Sequence, residues 1–96
     1  MTRIERIARM EEYLDEAAAA VSEMSDALDR YLAARDHIRT LADYYDDGTW
    51  RKDYEADEAG KLPSDLKRGV LSQDALYDLL CNERELLRRL TELEKP

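Results

Sequence analysis

The sequence predicts an all-α fold: a long helical hairpin with unequal arms, one helix over about residues 2–46 and a second over about 72–94. A structured connection with short helical turns joins them, and dimerisation completes the bundle. Three observations predict this. Ala, Glu, Lys, Leu and Arg supply 52 of the 96 residues, a composition typical of long helices and coiled coils. Only three Gly and two Pro are present, too few for the turns of a β-rich domain. Two tracks of apolar residues recur every seventh position through the first half of the chain.

The first helix starts at Thr2-Arg3-Ile4-Glu5, which reads as a capping box: the threonine hydroxyl takes the free N–H of Glu5, and the Glu5 carboxylate reaches back to Thr2. From there to Asp47 no Gly or Pro interrupts the chain. One track is Ile7, Leu14, Val21, Leu28, Arg35, Ala42; the other is Met10, Ala17, Met24, Tyr31, Ile38, Tyr45. Eleven of these twelve positions are apolar or aromatic, and Arg35 is the exception. Ile4, Leu32 and Leu41 widen the stripe toward a bundle face. Asp46-Asp47-Gly48 ends the helix, with Gly48 free to take a positive φ. A short helix over 49–59 follows, with Thr49 as its N-cap and Gly60 as its stop. Four acids near its C-terminal end oppose the helix dipole. Lys61-Leu62-Pro63 is extended, and Ser64 to Arg68 forms one turn closed by Gly69. Ser72 caps the second long helix, with Leu71 and Leu76 placed as a hydrophobic staple. Its apolar track is Leu76, Leu79, Leu80, Leu86, Leu87, Leu90 and Leu93, interrupted by Glu83. The chain is thus a single helical domain over 1–96: long helix 1–47, connection 48–71, second helix 72–96.

Charge and cysteine content narrow the chemistry. The formal net charge is −8, and residues 1–45, 46–71 and 72–96 are each net acidic, which argues against direct nucleic-acid or anionic-membrane binding. The one cysteine, Cys81, excludes an internal disulfide and a cysteine-based zinc site and suits a reducing compartment. No apolar run reaches membrane-spanning length and no signal-peptide core is present, so the expected location is the cytoplasm.

From Asp43 to Leu80 the chain reads DYYDDGTWRKDYEADEAGKLPSDLKRGVLSQDALYDLL. With RIERIARMEEYLDEA upstream, it resembles the bacterial domain-of-unknown-function family numbered 4298. The specific stretches are DYEADEAG at 53–60 and LKRGVLS at 66–72; the heptads are generic. The resemblance covers roughly residues 3 to 90. It implies a small, mostly helical bacterial protein with no established activity, so no catalytic residues carry over.

The residues that could carry chemistry each have a plainer reading. Asp53, Glu55, Asp57 and Glu58 invite comparison with a calcium loop, but the sixth position is Glu58 rather than Gly and the twelfth is Ser64 rather than Glu. A solvated acidic loop is the default; a docking surface for a basic partner is the functional alternative. Asp65-Leu66-Lys67 matches the D-x-K of some nucleases, without the strands that support it. His37 has no second ligand or orienting acid at helical spacing. Cys81 is flanked by Asn82 and Glu83, which do not favour a thiolate. Neither catalytic nor metal residues are therefore assigned, and no cofactor is implied.

Five aromatics, Tyr44, Tyr45, Trp50, Tyr54 and Tyr77, cluster around the connection. They form either a satellite core, filled in by Leu62, Pro63 and Val70, or a binding surface. Lys61, Lys67 and Arg68 either pair with Asp53, Asp57 or Glu58 or receive an anion. A connection of this length between two helices is itself a reason to look for function there.

Two surfaces follow. The self-association candidate is Ile7, Met10, Leu14, Ala17, Val21 and Met24, which a hairpin leaves uncovered and a homodimer covers. The partner-binding candidate is Tyr44, Trp50, Asp53, Tyr54, Glu55, Asp57, Glu58, Lys67 and Arg68. The leading expectation is a non-enzymatic protein–protein interaction module that binds itself and another protein. The alternatives are an acidic nucleic-acid-mimicking inhibitor of a nucleic-acid-binding protein and a small metal-dependent enzyme.

Overall fold

The computed structural model describes all 96 residues and contains helices without strands: α1 (Arg3–Asp46), α2 (Thr49–Glu58), a 3₁₀ turn (Gly69–Leu71) and α3 (Ala75–Glu94). Two compact units are distinguished, Met1–Asp36 and His37–Pro96, with α1 running through the boundary.

The first unit is helix throughout after Thr2. The Thr2 hydroxyl oxygen accepts the Glu5 N–H at 3.1 Å, as a capping residue does. The reciprocal half of the box differs from expectation: the Glu5 carboxylate accepts from the Thr2 hydroxyl at 3.0 Å rather than from the Thr2 amide. Alanines at 17 to 20 and the absence of helix breakers carry the helix onward. No residue of α1 is fully buried.

The second unit is organised by its turns. Asp47 donates its N–H to the Asp43 carbonyl, and Gly48 then reverses the chain at φ +89. The N-cap of α2 is Gly48, not Thr49 as the sequence suggested. Thr49 is the first helical residue, and its N–H is satisfied at 2.9 Å by the Asp47 carboxylate; the Thr49 side chain, and next its backbone N–H, hold that carboxylate below the usual range. A side chain two residues upstream thus does the capping that a glycine cannot.

At its other end α2 closes with a Schellman motif. Gly60 (φ +71) donates to the Asp57 carbonyl and Lys61 to the Ala56 carbonyl, each at 3.0 Å. Leu66 then donates to the Pro63 carbonyl at 3.2 Å, making the turn expected near Ser64. Gly69 does not close it; it opens the 3₁₀ turn instead.

α3 begins at Ala75, later than the sequence suggested, and its N-cap residue is Asp74 rather than Ser72. The Ser72 hydroxyl still accepts the Ala75 N–H at 3.3 Å from the turn that precedes the helix. The staple residues Leu71 and Leu76 are the two buried hydrophobic side chains, 7% and 3% exposed. They mark where the 3₁₀ turn meets α3, and the same turn packs on α2.

Candidate interaction surface

The connection is a structured knot in which most of the predicted partner-binding residues hold one another. Trp50 and Tyr54 lie one helical turn apart on α2 and stack, with ring centroids 5.1 Å apart and planes at 19°. Tyr45, from the last turn of α1, meets the indole at 5.3 Å and 54°. The Trp50 Nε1–H donates to the Val70 carbonyl at 2.9 Å, and Gln73 donates to the Tyr54 hydroxyl at 3.0 Å. The satellite-core reading therefore describes what these aromatics do within the chain.

Acids on one face of α2 are likewise engaged. The Tyr44 hydroxyl donates to the Asp53 carboxylate at 2.7 Å. Burial, and next the hydrogen bond and charge of Asp53, push the Tyr44 phenol up to about 12. Asp57 pairs with Arg68 at 2.6 Å, the intraloop pairing that the sequence allowed. Asp53 and Asp57, four residues apart, point toward the knot, and their partners offset the crowding of acids at the helix C-terminus. Glu55 and Glu58 are exposed. The predicted nine-residue surface thus divides. Tyr44, Trp50, Asp53, Tyr54, Asp57 and Arg68 form the scaffold, while Glu55, Glu58 and the exposed Lys67 are presented to solvent.

Lys67 borders a shallow cavity of about 310 Å³ with Tyr44, Asp53, Leu62 and Val70. No group of three His, Cys, Asp or Glu side chains converges to hold a metal ion.

A feature that no sequence motif marks is an open cleft of about 440 Å³ between the last turns of α1 and the face of α3. Ala42, Tyr45 and Asp46 line one wall; Tyr77, Cys81 and Arg84, spaced four and three residues apart, line the other. The neighbouring Cys81 raises the Tyr77 phenol above its ordinary value. That spacing on α3 was the available signal.

The self-association candidates are placed along the first unit with their side chains open: Ile7 is 53% exposed, Met10 50%, Leu14 61%, Val21 70% and Met24 51%, and Ala17 is exposed too.

A model of the family described as a domain of unknown function, DUF4298, matches residues 7–93, nearly the whole chain. The chain belongs to the DUF4298 family. The match takes in all three helices of this DUF4298 protein, apart from the first turn of α1 and the last residue of α3, and the whole connection between α2 and α3. No curated protein and no solved structure matches it. No helix of this DUF4298 protein is long and apolar enough to cross a membrane.

Proposed function

We propose that this DUF4298 protein is a non-enzymatic helical interaction module of the cytoplasm. It self-associates through the apolar face of α1 and presents the acidic side of α2 to a protein partner. One observation carries the reading. From Ile4 to Leu32 every large Ile, Leu, Val and Met side chain of α1 is at least 45% exposed, and an apolar stripe of that length on a helix marks an association surface. The knot of the connection supports the second half. Its internal hydrogen bonds fix α2 with Glu55 and Glu58 outward, a preformed acidic edge suited to a basic partner.

The test has two parts. Sedimentation of the wild-type chain reads self-association, and Met10→Asp with Leu14→Asp is expected to abolish it. Glu55→Lys with Glu58→Lys is expected to leave sedimentation unchanged while removing a cross-linked partner protein from the native lysate. A wild-type chain that stays monomeric at all concentrations ends the first half of the reading. A partner retained in full by the charge-reversed variant ends the second.

A further inference from the structure

The cleft beside α3 and the open stripe of α1 are complementary. We infer that in the homodimer the N-terminal segment of α1 from a second copy lies antiparallel in the cleft between α1 and α3, with both copies exchanging this segment about one two-fold axis. This rests on the self-association proposed above and adds its geometry.

Charge sets the direction. Residues 10–29 carry seven acids and no base, so a parallel pair stacks this block on its own copy. Residues 1–9 carry Arg3, Arg6 and Arg9 against one acid, Glu5. In the antiparallel pair these arginines run along the partner's Asp43, Asp46 and Asp47. The acidic block at residues 11–16 then faces the partner's net-positive stretch at 35–42.

Side-chain size sets the register. Placing Ile7 against the partner's Tyr45 puts Met10 against the partner's Ala42, and Tyr45 and Ala42 both line the cleft. The two-fold then crosses α1 at the level of residue 26. Further along, Leu14 meets the partner's Ile38, and Ala17 meets the partner's Arg35. Arg35 is the one charged residue among the twelve track positions. It falls opposite one of the two alanines among them, where its aliphatic stem has room to pass and its head reaches solvent near the partner's acids.

Area agrees. The eight large exposed Ile, Leu, Val and Met side chains from Ile4 to Leu32, at roughly 60–120 Å² of apolar surface each, amount to about 1,000–1,900 Å² over two copies. Stable interfaces bury about 1,200–2,000 Å².

Cys81 lines the cleft and is the only cysteine, so it reports the seating directly. A disulfide requires Cα atoms within about 7 Å, a reach of about one helical turn. Ile7→Cys and Met10→Cys are made separately and oxidised in parallel with Ala19→Cys, which lies outside the apolar tracks, and with wild type. The expected result is a covalent dimer for at least one of the first two and none for Ala19→Cys or wild type, lost when Cys81→Ser is added. Arg6→Glu with Arg9→Glu is expected to raise the dimer dissociation constant about tenfold. Adding Asp43→Arg and Asp46→Arg restores it. A chain that sediments as a monomer overturns the self-association reading and this inference with it. A chain that sediments as a dimer but links at neither position 7 nor 10 overturns only the seating.

Discussion

The indole N–H of Trp50 donates to the Val70 carbonyl at 2.9 Å across twenty residues of sequence. This bond ties α2 to the 3₁₀ turn just ahead of α3, and the ring itself packs between Tyr45 and Tyr54. One side chain therefore touches the end of α1, α2 and the segment that leads into α3.

Trp50→Phe keeps an aromatic ring in the stack and removes the donor. The expected loss is about 1 kcal/mol, the net value of one hydrogen bond. Trp50→Leu also removes the stacking and is expected to cost about 0.5–1.5 kcal/mol more. Urea denaturation followed by circular dichroism measures both; equal losses for the two variants contradict a separate contribution from the ring.

Leu76 is 3% exposed and Leu79, one turn on, is 37% exposed. Leu76→Ala is expected to destabilise the second unit by about 2–3 kcal/mol, toward the low end for a buried leucine because few neighbours are fully enclosed. Leu79→Ala is expected to cost about 1 kcal/mol or less. Trp50 fluorescence during denaturation reports the difference, and a larger effect at Leu79 contradicts the placement of the core.

Gly60 and Gly69 separate backbone strain from crowding, since a Cβ at either meets nothing within 4 Å. Gly60 stands at φ +71, so Gly60→Ala is expected to cost about 1–2 kcal/mol through the left-handed backbone alone. Gly69 has no positive φ, and Gly69→Ala is expected to be neutral or stabilising by about 0.5 kcal/mol. Melting temperatures that fall equally for both remove this distinction.

Tyr44 gives the pH dependence. Its folded pKa, about 12, lies above its ordinary value of 10.0, so the neutral phenol is the form the fold favours. The resulting stabilisation is complete below pH 10 and is lost as pH rises toward about 12. Phenolate absorbance should show a late-titrating fraction to which Tyr44 and Tyr77 both contribute, and Asp53→Asn should bring the Tyr44 part earlier. A titration unchanged by Asp53→Asn excludes the Asp53 contribution.

Elements set by local rules were legible in the sequence. Thr2 and Glu5, the long run without Gly or Pro, Gly48 and Gly60 mark where helices start and stop, because capping and positive-φ turns depend on neighbours a few residues away. The exceptions were short-range as well: Asp47 replaced Thr49 as the capping side chain, and Gly69 opened a turn rather than closing one. The aromatic knot was foreseeable as a cluster, but its bonds were not. Nothing in the spacing of Asp53, Glu55, Asp57 and Glu58 says which pair meets Tyr44 and Arg68 and which faces water.

The sequence by itself determined the all-α class and the apolar stripe of α1, since periodicity and composition act along one chain and need no partner, and the stretches at 53–60 and 66–72 pointed to the family. The tertiary structure alone decided that Asp53 and Asp57 turn inward, that Leu71 and Leu76 form the buried contact, and that Ala42, Tyr45 and Cys81 share a cleft. Those outcomes depend on which faces meet after the turns at Gly48 and Gly60, and that meeting is set by packing between segments distant in sequence.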